Sequence, residues 1–187
     1  MSRGTLRSAA AFPFILALVL AMEARAAEVS DESQSVTFVY DESVWSGTER
    51  PDGPPELTCL GESCGGETAA CSVTTLDRPA DGLSTADFLE GLRLQIGPRI
   101  LDSARSNAAG GPPPELVDPA RVAAFGDKSG VALSLRLTLH NAPTRIDYVW
   151  FASASHLVAL NCAAPEATYQ SARPAFETVA RDLRIAP

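Results

Sequence analysis

Alternation of apolar and polar residues is cleanest between Gly130 and Phe151. Val131, Leu133, Leu135, Leu137 and Leu139 fall on one side of the chain. Ala132, Ser134, Arg136, Thr138 and His140 fall on the other. A period of two predicts a strand with one buried face. After Asn141-Ala142 the pattern resumes, with Thr144, Ile146, Tyr148 and Trp150 opposite Arg145, Asp147, Val149 and Phe151. A two-residue turn at Asn141-Ala142 would set Leu135 against Tyr148, Leu133 against Trp150 and Arg136 against Asp147, bringing opposite charges together. His156 to Cys162 is expected to add a third strand, with Val158, Leu160 and Cys162 continuing the same buried face.

Shorter strands are expected upstream. Ser35 to Trp45 alternates around Val36, Phe38 and Tyr40, and 56–60 and 70–76 are brief β-forming runs separated by glycine- and proline-rich turns. Arg121 to Phe125 predicts one more. Helical spacing takes over at Phe88, Leu89, Leu92 and Ile96, introduced by Ser84 as N-cap with Asp87 three residues on. Gly97-Pro98 should interrupt that helix, and 106–114 should be a loop. A last helix is expected from Pro165, with Tyr169, Ala172, Phe176, Val179 and Leu183 as its apolar stripe and Pro174 kinking or splitting it. These elements predict an α+β domain, one antiparallel β-sheet packed with helices.

The N-terminus has a different texture. Arg3 and Arg7 precede an apolar run from Ala9 to Met22, and Ala24-Arg25-Ala26 fits the small-x-small site of a signal peptidase. The run is 14 residues long. That is short of the roughly 20 a membrane-spanning helix needs. Residues 1–26 are therefore expected to be a signal peptide, 27–35 a mobile leader and 36–187 a single domain, periplasmic or secreted and without a stable membrane anchor after cleavage. Without the signal, 161 residues carry 12 basic and 22 acidic side chains, a net charge of −10. Ten of those acids, against Arg50 alone, lie in 27–71. Nucleic acid and anionic lipid are poor partners for such a chain, whereas a basic protein is admissible.

Cys59, Cys64, Cys71 and Cys162 are even in number, which in an oxidising compartment points to two disulfides. Three pairings are possible. Cys59 and Cys64 flank one short turn and Cys71 and Cys162 lie on predicted strands with apolar neighbours, which favours Cys59–Cys64 and Cys71–Cys162. The spacings lack the C-x₂-C knuckles of a zinc site, and no cofactor motif is present. Gly126-Asp127-Lys128-Ser129-Gly130 lacks the phosphate-loop frame and fits a hairpin turn. No G-x-S-x-G elbow accompanies His140 or His156, and no other catalytic motif is found, so an enzyme is not expected. Arg136, Arg145 and Asp147 share one face of the meander. If helices cover only the other face, this one is open to a partner; if both are covered, the charges must pair.

Three stretches resemble the PsbP-like fold and, with similar architecture, DcrB-like envelope proteins: VTFVYDESVW, GVALSLRLTLHNAPTRIDYVWFASASHLVALNCAAP and EATYQSARPAFETVARDLRI. The resemblance implies an accessory or partner-binding role and carries no site residues with it. The leading functional expectation is an exported periplasmic accessory protein binding another envelope protein. A small-ligand or lipid carrier is the alternative, and a hydrolytic enzyme comes third.

Overall fold

The structure is a computed structural model that describes residues 26–31, 35–50, 53–66, 68–107 and 112–186. The expected signal at 1–26 therefore lies outside the described residues except for Ala26. Ten strands and two helices follow in order: β1 (Ala26–Ser30), β2 (Val36–Asp41), β3 (Trp45–Thr48), β4 (Glu56–Cys59), β5 (Ala70–Asp77), α1 (Thr85–Asn107), β6 (Glu115–Phe125), β7 (Lys128–Leu139), β8 (Ala142–Ala152), β9 (His156–Pro165), α2 (Tyr169–Asp182) and β10 (Arg184–Ile185). A 3-10 turn, Gly61–Cys64, joins β4 to β5.

Seven strands form one antiparallel sheet in the order β3-β4-β5-β9-β8-β7-β6, and β1-β2-β10 form a second. The expected single sheet is thus two. The segment expected to be a mobile leader is instead partly ordered: Ala26–Ser30 pairs antiparallel with β2, and Val29 is buried opposite Phe38. A short strand with so weak an alternation acquires its identity only from this long-range pairing.

Each face of the large sheet carries a helix. On one, α1 lays Leu92, Ile96, Ile100 and Ala104 over Leu133, Leu135 and Trp150. On the other, α2 and the small sheet bury Phe38, Leu57, Val73, Phe151, Val158, Leu160, Tyr169 and Phe176. The predicted stripe Tyr169, Ala172, Phe176, Val179, Leu183 is buried throughout. Ser84 caps α1 as expected, its Oγ accepting from the Asp87 amide at 3.2 Å and donating to the Asp87 carboxylate at 2.6 Å.

Neither proline breaks its helix. Pro98 and Pro174 both sit on exposed helix surface. The carbonyls they leave unbonded, of Leu94 and Gln170, belong to exposed residues, where water can take the place of the missing amide. Pro165 does not start α2 but ends β9; the helix begins four residues later. Likewise β6 begins at Glu115, with register shifts on either side of Asp118. Pro119 is tolerated there because β6 is an edge strand that needs no amide on that side.

The β7–β8 hairpin differs from the expected register by two residues. His140 and Asn141 form the turn, with φ of 49° and 66°. Both central residues of a type I′ turn need positive φ, which Asn and His tolerate better than Ala142 would. Leu135 therefore faces Ile146, Leu133 faces Tyr148, Ser134 faces Asp147 and Arg136 faces Arg145. A shift of two keeps every side chain on its face. On β9 the expectation of a shared face fails. Trp150 pairs with Ala159, so Val158, Leu160 and Cys162 line the α2 side with Val149 and Phe151.

Candidate functional site

Arg136, Arg145 and Asp147 all project from the face that α2 covers. Asp147 lies beneath the start of α2. It accepts hydrogen bonds from Ser134 Oγ across the hairpin and from the Tyr169 hydroxyl, 2.8 and 2.9 Å from its two oxygens. Arg145 is 8% exposed. Its guanidinium stacks over the Tyr169 ring at 4.3 Å and donates to Asp118 Oδ2 at 2.6 Å. Arg136 stands farther out and bridges Glu115 at 3.0 Å and Glu166 at 2.8 Å. The three residues thus join two separate networks, each completed by acids or hydroxyls from β6, α2 and the turn before it.

Electrostatics follow burial. Removal from water raises the Asp147 pKa above the usual carboxylate range, although the hydrogen bonds from Ser134 and Tyr169 and the field of Arg145 and Arg173 work against it. Burial, and then the bond to Asp147, push the Tyr169 phenol up to about 12, so it keeps its proton and acts as donor. A cleft of about 70 Å³ opens beside this network, with Arg121 and Arg173 at its edge. No histidine reaches it: His140 is in the β7–β8 turn and His156 opens β9. From sequence Tyr169 was expected only as part of the apolar stripe, and Asp118 was not singled out. A tyrosine on an apolar helix stripe implies a buried partner for its hydroxyl, and that is the signal that could have found the pair.

All four cysteines are paired, Cys59 with Cys64 and Cys71 with Cys162. Cys71 and Cys162 sit directly opposite each other on β5 and β9. The Cys59–Cys64 link holds the 3-10 turn, whose Gly65 packs against Thr168 and Ser171 at the start of α2. Disulfides of this kind form and persist in oxidising compartments.

A larger opening lies between α2 and the small sheet. This groove, about 450 Å³, is lined by Val39, Tyr40, Val44, Trp45, Ala175 and Val179. Gly47 helps shape it: a Cβ there would stand 2.7 Å from Tyr40 Cζ, so only glycine lets the tyrosine ring lie across β3. Asp41 and Asp182 also line it. Asp41 accepts from the amide and hydroxyl of Ser43, which hold its carboxyl below the usual range. Asp182 is paired with Arg181. The sheet wall belongs to β1, β2 and β3, within the segment that carries ten acids and one base.

The chain matches no protein-family model and no curated protein. Its fold is similar to several solved structures at low sequence identity. The solution structure of cyanobacterial PsbP (CyanoP) from Synechocystis sp. PCC 6803 superposes with a TM-score of 0.60 at 18% identity, covering 88% of this chain and 94% of that one. LpqN of Mycobacterium tuberculosis, described as involved in cell envelope biogenesis, gives 0.58 at 12% identity over 87% and 91%. A point mutant of the protein Mog1 gives 0.55 at 10% identity over 86% and 96%. With an antiparallel sheet clasped between two helices and likeness over most of each chain, this protein has the PsbP-like α+β fold.

Proposed function

We propose that this chain is an exported accessory protein that works in the periplasm and binds another envelope protein, and that it does so through the groove between α2 and the small sheet. The carrying observation is the groove itself: an apolar trough of about 450 Å³ with Asp41 and Asp182 in its lining, set in the acidic part of the chain. Apolar anchor side chains inserting into such a trough, with basic residues around them, are the kind of contact that concentrates binding energy and steers encounter. Two disulfides, the signal-like N-terminus and a fold shared with an envelope-biogenesis protein support the compartment.

A photo-crosslinking amino acid in place of Thr178, which lines the groove, tests the reading in cells of the native host. A single envelope protein is expected to crosslink from position 178 but not from Leu94, exposed on α1, and the yield should fall with salt and with Asp41→Lys. Equal crosslinking from both positions, or none from 178, overturns it. The apolar lining also favours a second reading, a carrier of small apolar molecules or lipid, which native mass spectrometry of the purified protein would reveal as a retained mass.

A further inference from the structure

Helix α1 packs chiefly on β6, β7 and β8, and its apolar cluster reaches Leu157 and Ala159 on β9. Farther from the helix, at Asn161 on β9, Ser72 on β5 and Glu56 on β4, the same face of the large sheet lines an open cleft bordered by Arg50 and Pro54 from the connection between β3 and β4. The strand registers align one row of side chains across this part of the face. Thr48 is opposite Glu56, Glu56 opposite Ser72, Ser72 opposite Asn161, and Asn161 opposite Tyr148. Adjacent strands are about 4.8 Å apart, so the row runs on the order of 19 Å. The neighbouring row is small and apolar where the two meet: Ala70 is opposite Ala163, and Ala163 opposite Ile146. A polar rail beside a shallow floor results, and the cleft it forms has a volume of about 330 Å³.

Within this cleft, the side chains of Ser72, Asn161 and Tyr148 make no hydrogen bond to any described residue. That is unlike the opposite face of the sheet, where Asp147 on β8 and Ser134 on β7 are bonded to each other. Tyr148 is half-buried, and its phenol is raised by burial alone, with no hydrogen bond contributing. One side of its ring is stacked on Trp150, parallel within 7° at 5.5 Å, while the tyrosine also lines the cleft. Among the described residues, the charged ones in the lining are Arg50 and Glu56, which are paired with each other.

We infer that this cleft is a binding site for a neutral polyhydroxylated ligand, a sugar unit, held by the unpartnered polar groups of Ser72, Asn161 and Tyr148 with its apolar ring face against the tyrosine and the alanine floor. A hydroxyl, an amide and a phenol offer donors and acceptors without net charge, which matches a sugar's alternating hydroxyls. The small residues of the floor let a flat ring approach the sheet, and the tyrosine face supplies the apolar contact that sugars make through their C–H groups. A charged ligand would have to break the Arg50–Glu56 pair to gain a counterion. This site lies across the large sheet from the groove between α2 and the small sheet, so its success or failure is independent of the partner reading.

The test is a titration of the ¹⁵N-labelled, disulfide-intact protein with glucose, galactose and N-acetylglucosamine, with glucuronate as charged control. At least one neutral sugar is expected to give saturable shifts in the amides of Ala70, Ser72, Tyr148, Asn161 and Ala163. Ser72→Ala, Asn161→Ala and Tyr148→Phe should each weaken that binding by roughly two- to tenfold, the worth of one neutral hydrogen bond. These changes fall on a solvent-facing surface, and an unchanged dispersion of remote amides verifies that each variant is folded. Absence of saturable shifts with every neutral sugar overturns the inference. So does preference for glucuronate, or affinity unchanged in the triple variant.

Discussion

Two disulfides of very different span offer a sharp test of what holds this scaffold together. Cys59 and Cys64 are separated by five residues, whereas Cys71 and Cys162 are separated by 91. If a crosslink acts chiefly by limiting the unfolded chain, the short loop is worth about 2 kcal/mol and the long one about 4.6 kcal/mol at room temperature. All four cysteines are 6% exposed or less, so each Cys→Ala pair removes two buried sulfurs and a comparable packing contribution. The difference between the two double variants therefore isolates the loop contribution, expected near 2.5 kcal/mol. Urea unfolding followed by tryptophan fluorescence measures it. Trp45 and Trp150 are buried on opposite sides of the large sheet and report both cores. Cys71→Ala/Cys162→Ala should also raise the m value, because opening the long loop lets the denatured chain expose more surface. Equal losses in the two variants, or a larger loss from Cys59→Ala/Cys64→Ala, would refute the entropic account and place the stabilisation in the folded state.

Three other expectations come from the buried network and the hairpin. Tyr169→Phe keeps the ring under Arg145 but strips Asp147 of its phenolic donor, so it should cost about 1.5–3 kcal/mol in urea unfolding and raise the Asp147 pKa further, read by carboxyl ¹³C titration. Because the folded-state pKa of Asp147 is raised, its contribution to stability is fully present below the ordinary carboxylate value of about 3.9 and is lost as pH rises through the folded value. Asp147→Asn should flatten that decline in a stability–pH series, and an unchanged slope would mean that Asp147 is not the group responsible. At the turn, Asn141→Ala forces a Cβ-bearing residue without a local polar partner into left-handed backbone and should cost about 1 kcal/mol, while Asn141→Gly should be close to neutral, both read from thermal unfolding.

Legibility of the sequence stopped where a pattern was compatible with more than one partner. The stripe from Tyr169 to Leu183 was readable because one helical face meets one sheet, and all five residues are buried. The hairpin shows the limit. Alternation fixes which face a side chain occupies but is blind to a slip of two residues, and the tie was broken by the backbone that Asn141 and His140 can adopt. Pairing Arg136 with Asp147 looked favourable only while the hairpin was considered alone. In the fold Arg136 turns to Glu115 and Glu166, while Asp147 is held by Ser134 and Tyr169, and none of these partners is near in sequence except Ser134. The cysteine pairing was recoverable for the converse reason. Cys71 shares its strand face with Val73, and Cys162 shares its face with Leu160, so both had to point into the same core. The two open surfaces had a fainter signal. On β5 and β9, Ser72 and Asn161 alternate with buried Cys71, Val73, Leu160 and Cys162, whereas on β7 Leu133 and Leu135 occupy the corresponding face. A sheet face that changes from leucine to serine and asparagine along one row marks where its covering helix ends, and that boundary is where the sugar cleft lies.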